Sequence, residues 1–358
     1  MKRVFSAPTK VDLCITSRCN MRCKHCFAAT RGAIPDDLPT QEIKRIIERL
    51  NDAKVFIVTL TGGEPLLRPD FFEIARFIRR YPVQLGLNTN ATLVNDKVSK
   101  ELADIGFQCR ISVSLDGSNS EIHERLRGRG TFEPALRGLE SLLKFNKNTR
   151  PFCVVTKYNM HDIENIIKLV KSVGASYIEL NTLLPGDRAI CYKDMFLEEN
   201  DRLRLFNEMG ALLDTYGNYV HGSLVRMVKK ARLLTGISDK ELSGMKTRCL
   251  QNCDAGFEMA AIRSDGKVAP CYTMLDYVVG DILDESLRDI WKYSDKLWDF
   301  RKMHDISLDD IEPCNHCIYK GMCNAGCRAA AYYHSGKTRF DAYDPGGCYR
   351  FLKRELNV

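Results

Sequence analysis

Long apolar runs are missing from this 358-residue sequence. No stretch of about 18 apolar residues occurs, which excludes a membrane-spanning helix of ordinary length. The first residues, Met1-Lys-Arg-Val-Phe-Ser-Ala-Pro-Thr9, hold no signal-peptide apolar core and lead straight into an apolar strand, so a cytoplasmic location is expected. Repeats and low-complexity tracts are absent. Long basic tracts are absent too: the net charge, 53 − 46 = +7, is spread along the chain, with only short clusters such as Lys229-Lys230 with Arg232. A solvated helix face accounts for these better than an acidic partner, and neither nucleic acid nor membrane is an expected partner. Finally, the middle of the chain is almost free of cysteine. Of fifteen cysteines, Cys14, Cys109, Cys153 and Cys191 are isolated, and the other eleven lie at 19–26 and 249–348.

What is present fits a soluble globular protein of one large or two ordinary domains, with 44% apolar and 28% charged residues. In a cytosolic chain of this size, crowded cysteines point to metal or iron–sulfur ligation rather than disulfides. Residues 10–181 alternate strictly between strand and helix patterns. The strand candidates are 10–16, 55–60, 83–88, 110–115, 152–156 and 177–181. Between them, Ile43, Ile46, Ile47 and Leu50 follow a helical stripe, with Thr40 as the expected N-cap; Phe71–Ile78, Val98–Leu102, Leu136–Leu143 and Ile163–Val170 behave likewise. Six βα units with near-continuous apolar strands predict an α/β fold with a parallel sheet, a partial (β/α)6 TIM-like barrel. A doubly wound sheet is the alternative, but no GxGxxG opens a helix after the first strand. In either fold, functional groups sit at the C-terminal ends of strands, and the distinctive strings fall there: the cysteine triplet, TGGEP (61–65), NTNAT (88–92) and SLDG (114–117). Residues 197–235 read as helical. From about 246 the strands shorten, 260–271 reads as a hairpin turned at Asp265-Gly266, 286–294 as a helix, and the chain beyond Cys314 as cysteine-rich loop. Three regions are therefore expected: 1–196, 197–245 and 246–358.

Cys19, Cys23 and Cys26 stand within eight residues. A [4Fe–4S] cube takes four thiolates, one per iron. Three from a compact loop leave one iron open to chelate a small molecule, provided no remote protein ligand reaches it. A zinc knuckle would need a fourth Cys or His in tetrahedral geometry, and His25, inside the triplet, is poorly placed for it; incidental thiols are the other alternative.

The string Cys19-Asn-Met-Arg-Cys23-Lys-His-Cys26 resembles the CxxxCxxC cluster motif of the radical S-adenosylmethionine (SAM) superfamily. Gly62-Gly63-Glu64-Pro65 resembles its GGEP element, implying contact with the methionine amino group of SAM. Ser114 and Arg127 match positions that contact the cofactor's ribose and carboxylate, and Asn90 and Asp116 are further members of the same wall. Downstream, Cys253-x12-Gly266-x4-Cys271 and Cys314-x2-Cys317-x5-Cys323-x3-Cys327-x20-Cys348 resemble the SPASM extension, which holds two auxiliary [4Fe–4S] clusters. The resemblance implies that Cys249, Cys253, Cys271 and Cys327 hold the first and Cys314, Cys317, Cys323 and Cys348 the second, although spacing alone would pair Cys327 with Cys323; a zinc-ribbon pair is the alternative for 314–327. Three clusters in all are thus implied, one of them SAM-binding. The implied activity is reductive cleavage of SAM to a 5′-deoxyadenosyl radical that takes a hydrogen atom from substrate, with a flavodoxin, ferredoxin or reductase as electron donor. A non-catalytic iron–sulfur carrier or scaffold is the competing class, but it would need no cofactor pocket.

SPASM relatives act on ribosomal peptides, on partner proteins such as sulfatases, or on tetrapyrroles and other cofactor precursors. Sulfatase-maturing relatives carry an aspartate after the cysteine of the GxxxxC element; here Tyr272 follows Cys271, which argues against that activity. The first strand begins near residue 10, leaving no room for an N-terminal peptide-binding domain, so a separate recognition protein is expected if the substrate is a peptide. The tail CNAGCRAAAYYHSG…YDPGGC (323–348) resembles haem- and peptide-maturation relatives alike, with Ala325 where glycine is usual. Peptide modification is the favoured expectation, on the breadth of the family, over tetrapyrrole side-chain chemistry. Tyr272 and Tyr277 are candidates to face the substrate, with aromatic packing as the competing role. Cys14 and Cys153 read as buried small hydrophobes, and Cys191 as the isolated cysteine nearest the expected mouth.

Overall fold

Six short apolar segments form six parallel strands in chain order: β1 (Lys10–Thr16), β2 (Ile57–Gly62), β3 (Gln84–Thr89), β4 (Ile111–Ser114), β5 (Thr149–Val155) and β6 (Ile178–Thr182). The structure, a computed structural model, describes residues 4–28, 37–186, 188–250 and 253–354. Each strand feeds helices that return over the outer face: α1 (Thr40–Asp52), α2 (Phe71–Ile78), α3 (Asp96–Ile105), α4 (Ser120–Arg127) with α5 (Phe132–Phe145), and α6 (Ile163–Ser172). The sequence stripes are the reason. Ile43, Ile46, Ile47 and Leu50 are all buried on α1, each contributing about 2 kcal/mol by leaving water, against Val11, Leu13 and Ile15 of β1 in the same core.

Two local expectations shift. Pro39, not Thr40, occupies the cap position of α1; the Thr40 hydroxyl donates instead to Asp70 at 2.5 Å, tying α1 to α2. Strand β5 starts three residues before the predicted Phe152, because Thr149–Pro151 pair with Ile111–Val113 although a proline there discourages a strand.

Beyond β6, the stretch read as helical, 197–235, holds α7 (Glu199–Tyr216), β7 (Val220–His221) and α8 (Ser223–Thr235), and α9 (Asp239–Ser243) follows it. β7 pairs in parallel with β6, and two residues are too few to leave a period-2 signal. The C-terminal region supplies β8 (Met259–Ile262), β9 (Lys267–Ala269) and β10 (Gly280–Asp281), then α10 (Leu287–Tyr293), α11 (Asp295–Lys302) and α12 (Arg328–His334). The β8–β9 hairpin turns at Asp265-Gly266, where Gly266 takes φ +84°. Helix α12 replaces the expected loop after Cys327.

Strand β8 lies parallel to β1, Lys10 opposite Met259 and Leu13 opposite Ile262. The ten strands therefore make one sheet, in the order β10-β9-β8-β1-β2-β3-β4-β5-β6-β7. The partial barrel and the cysteine-rich region share a continuous backbone ladder, and β1, which leads into the cysteine triplet, is the strand that joins them. Among the described residues no helix is long and apolar enough to cross a membrane.

Candidate metal and cofactor site

The triplet loop leaves the C-terminal end of β1 and is pinned on both sides. Asp37 accepts from the Thr16 hydroxyl (2.5 Å), the Ser17 amide (2.7 Å) and Arg18 Nε (3.1 Å). The Gly63 and Glu64 amides donate to the Thr16 and Arg18 carbonyls, each at 2.8 Å. This approach explains the paired glycines. A Cβ at Gly62 would stand 2.1 Å from the Thr16 carbonyl oxygen, and one at Gly63 would stand 2.0 Å from that of Arg18. The GGEP element is thus pressed against the residues that precede Cys19. Farther along, the Lys24 amide donates to Leu126 O at 2.8 Å and Arg188 Nη1 to Cys23 O at 3.2 Å, so the loop is also anchored to α4 and to the segment after β6.

Within the loop, Met21 N donates to Cys19 Sγ at 3.4 Å and Cys26 N to Cys23 O at 3.3 Å. The three thiols interact electrostatically with one another. Burial pushes Cys19 up and Cys23 up to about 11, so only a bound cation would hold them as thiolates at neutral pH. Arg127 Nη1 stands 3.8 Å from Cys23 Sγ, and Asn90 Nδ2 4.0 Å from Cys19 Sγ.

Glu64 is buried. Its carboxylate accepts from Thr89 Oγ1 (2.8 Å), Asn90 N (2.7 Å) and Leu66 N (3.2 Å). Burial raises it to about 7 against these hydrogen bonds, and among the described residues no cationic side chain contributes to its environment. A buried carboxylate held by neutral donors alone suits a ligand that brings its own positive charge. That, with three close thiols beside it, fits SAM on an iron–sulfur cluster. Asn90 also donates to Asn20 Oδ1 at 2.9 Å, joining the end of β3 to the cysteine loop. Ser114 ends β4 half-buried.

Asp116 stands behind this wall, fully buried. Its Oδ2 accepts from Arg127 Nε at 2.6 Å and lies 3.3 Å from His25 Nε2; its Oδ1 accepts from Val154 N at 2.8 Å. Burial alone would raise Asp116, but Arg127 and, at the low pH where the carboxyl titrates, the protonated histidines outweigh it and keep the carboxyl below its usual range. Burial likewise opposes the Arg127 charge, which Asp116 and Cys23 sustain. His25 and His123 are each lowered to about 4 by burial and are neutral. Asp116 therefore orients Arg127 and the histidine inside the triplet rather than lining the pocket. The motif spacing hid this, because His25 is legible only as an inter-cysteine residue.

The C-terminal thiols fall into two groups. Cys253, Cys271 and Cys327 pack around Ala255, Met274, Phe300 and Ala329, and Cys327 is near enough to Cys253 and Cys271 for their charges to interact. Cys314, Cys317, Cys323 and Cys348 line one cavity with Leu308 and Tyr349 and interact among themselves. Chain order would have joined Cys327 to Cys323; the intervening turn separates them. Gly326, at φ +75°, presses against Asp344, whose carboxylate accepts from Cys327 N and Gly346 N at 2.9 Å each. Arg328 donates to Phe340 O (2.7 Å) and Ala342 O (2.8 Å). These contacts explain the CRA…DP pattern of the tail. Cys249 bridges to Ser307, beside Ile306, which packs against both thiol groups' apolar surroundings. Burial raises Cys253 and Cys348 to about 11 and Cys314 to about 12. Among the described residues no group of three or more His, Cys, Asp or Glu side chains is arranged to hold a single metal ion.

Of the two tyrosines, Tyr277 packs against Phe300, Tyr332 and Phe340 and donates to Lys296 O at 3.0 Å. Tyr272 reaches back to the barrel: its hydroxyl donates to Gly62 O at 2.9 Å, and its ring meets Phe27 edge-on at 5.0 Å.

Comparison with known proteins agrees with this geometry. The family model of the radical SAM superfamily matches residues 13–170, and that of the SPASM iron–sulfur cluster-binding domain matches 253–318. The chain is 32% identical over 345 residues to the AdoMet-dependent heme synthase of Methanosarcina barkeri, covering 94% of this chain and 95% of that protein. It is 28% identical over 341 residues to the mycofactocin maturase MftC of Mycolicibacterium smegmatis, covering 93% and 81%. Streptococcus suis SuiB, solved bound to the precursor peptide SuiA, shares the fold at TM-score 0.73 and 17% identity, covering 96% of this chain and 76% of that one. Thiols on a strand-end loop, a buried carboxylate awaiting a cation and a thiol-rich extension are one assembly: the chain belongs to the radical SAM superfamily, as an iron–sulfur, SAM-binding enzyme with a SPASM domain.

Proposed function

We propose that Cys19, Cys23 and Cys26 hold the SAM-binding [4Fe–4S] cluster, and that SAM lies along the wall of Gly62, Gly63, Glu64, Pro65, Asn90, Ser114 and Arg127. The observation that carries this is Glu64, buried beside the three thiols and, among the described residues, held by neutral donors alone. When bound, cluster and SAM supply a 5′-deoxyadenosyl radical; the chain supplies placement. Glu64 receives the positive end of the cofactor and keeps Asn90 against the triplet loop. Arg127, fixed by Asp116, presents a guanidinium to a carboxylate while staying close to Cys23. Gly62 and Gly63 let the two loops approach closely enough for one ligand to touch both. In the C-terminal region, Cys249, Cys253, Cys271 and Cys327 hold one auxiliary cluster, and Cys314, Cys317, Cys323 and Cys348 another. A flavodoxin, ferredoxin or reductase supplies the electron, in the cytoplasm.

For the substrate, the sequence favoured a peptide on the breadth of the family. The match to a haem synthase, running nearly end to end in both chains, moves the proposal to side-chain modification of a tetrapyrrole. The peptide reading stands second, on the similarity to a mycofactocin maturase. Anaerobic incubation with SAM, dithionite and an iron porphyrin bearing propionate side chains tests the first. It expects 5′-deoxyadenosine together with a mass loss in the porphyrin. Unchanged porphyrin, with a mass change in a short peptide encoded beside the gene, would replace it with the second.

A further inference from the structure

Tyr272 is the residue next to Cys271, yet its side chain leaves the C-terminal region and enters the barrel. The hydroxyl donates to the carbonyl of Gly62 at 2.9 Å. Gly62 is the last residue of β2 and the first of the GGEP element, held at φ +134° against Thr16. The ring meets Phe27, one residue after Cys26, edge-on with centroids 5.0 Å apart, within the usual range for aromatic pairs. It also packs with Cys14 of β1, Ala261 of β8, and Ala269 and Leu275 beside the hairpin. Cys271 and Cys26 are thus each one residue from the two halves of one aromatic contact. The parallel ladder between β1 and β8 fixes the two regions that Tyr272 spans.

We propose that Tyr272 is a positioning residue of the SAM site contributed by the SPASM domain. It fixes the Gly62 carbonyl and braces Phe27, so that the shape of the GGEP loop depends on how Cys271 is held. Its hydroxyl proton is engaged on Gly62 and its oxygen on the Thr61 side chain, so it acts as a strut and not as a base toward substrate. The SAM site is therefore completed by the domain that carries the auxiliary clusters, whatever the substrate. The inference rests on the ligand assignment proposed above.

The test uses the fully iron-loaded protein and the variant Tyr272→Phe, which keeps the ring and removes only the hydroxyl, with its hydrogen bonds to Gly62 O and the Thr61 side chain. SAM affinity is read by titrating the change that SAM causes in the electron paramagnetic resonance of the reduced protein. Amide exchange is read for residues 57–67, with 84–89 as the internal control. The expected result is SAM binding weaker by roughly 5- to 10-fold, faster exchange in 57–67, no change in 84–89 and unchanged iron content. Affinity within twofold of wild type overturns the proposal, whether or not exchange changes. Weaker binding with unchanged exchange also overturns it, because Tyr272 would then touch SAM directly. If wild type shows no response to SAM, the ligand assignment fails, and this inference with it. Phe27→Leu, which retains the phenol, is expected to raise exchange near 26–28 while leaving 57–67 closer to wild type. Equal effects of both variants on 57–67 would overturn the separate role of the hydroxyl.

Discussion

The N-terminal thiol loop and the C-terminal thiol groups differ in what packs around them. Around Cys19, Cys23 and Cys26 the neighbours are polar and charged: Asn90, Arg127, Glu64, and Asp116 behind them. Around Cys253, Cys271 and Cys327 the packing is mainly apolar, from Ala255, Met274, Phe300, Met303 and Ala329, with two polar contacts at the edge: the Thr273 hydroxyl 3.2 Å from Cys271 Sγ, and Asp344 accepting from Cys327 N at 2.9 Å. A buried charge held by neutral donors alone is costly, which is why Glu64 is proposed to meet a ligand that brings the opposite charge. An apolar wall around thiols has no such use; it excludes water and needs no exchangeable partner. The contrast separates a site built to open from sites built to stay shut, and it does so independently of how many cysteines each contains.

The largest break in this comparison is removal of one triplet thiol. Cys26→Ala is expected to abolish 5′-deoxyadenosine formation by at least about 100-fold, to erase the spectroscopic response to SAM, and to lower iron by about four per chain. The C-terminal clusters should survive. Persisting 5′-deoxyadenosine formation would place the reaction elsewhere. The mirror change, Cys327→Ala, is expected to remove a similar amount of iron and to depress the melting midpoint, while SAM still perturbs the remaining reduced cluster. Loss of that perturbation would mean that the two regions are not separable.

Asp116→Asn comes next. The carboxylate is fully buried and serves Arg127, His25 and the Val154 amide together. Removing its charge leaves a buried guanidinium uncompensated, at a cost of about 3–5 kcal/mol. Denaturant titration should show that loss, and SAM affinity should fall with it. A variant as stable as wild type would mean that Arg127 finds another counter-ion.

How far such effects were legible in the sequence depended on range. The strands and the α1 stripe were readable because periodicity is local: Ile43, Ile46, Ile47 and Leu50 announce their face without help from the rest of the chain. The motifs were readable because a compact loop must carry its thiols close together. What stayed hidden was contact across long separations. Nothing in MAAI (259–262) says that it lies along KVDL (10–13), since any hairpin edge could take that place. Asp116 looked like a wall residue because SLDG ends a strand; that it turns backward toward Arg127 depends on α4. Tyr272 could be excluded as an aspartate, but its reach to Gly62 spans 210 residues. Helix α12 was missed because the cysteine density around RAAAYYH suggested loop, although three successive alanines favour helix.

A smaller effect sharpens the charge argument. Burial holds Glu64 near pH 7, above the usual carboxylate range. A raised acid keeps its proton in the folded state while the unfolded chain has already lost it. Folded stability from this group is therefore greatest below about pH 4.5 and falls as pH rises toward 7. Glu64→Gln cannot ionise, so in the absence of SAM its melting midpoint should gain on wild type between pH 5 and pH 8. Saturating SAM should reverse the sign at pH 8, because only the carboxylate can pair with the cofactor's positive charge. A difference independent of pH would mean that Glu64 is already ionised and paired in the free protein.

The smallest expected effect lies in the shut region, at Ala325. Its φ of +54° puts a non-glycine residue in the left-handed region, at a strain cost of about 1 kcal/mol. Glycine takes that conformation without a Cβ penalty, so Ala325→Gly looks like a repair. But Ala325 is buried against Leu250, Leu308 and Ile311, and losing one methyl from such a cluster costs about 0.8 kcal/mol. Glycine's extra freedom in the unfolded chain costs a further 0.4–1 kcal/mol or so. The two losses match or slightly exceed the relief. Ala325→Gly is therefore expected to shift the melting midpoint by no more than about 3 °C, and downward. A clear gain in stability would show that the wall beside Cys314 and Cys323 is packed more loosely than its buried apolar residues indicate, and the distinction between open and shut sites would then rest on charge alone.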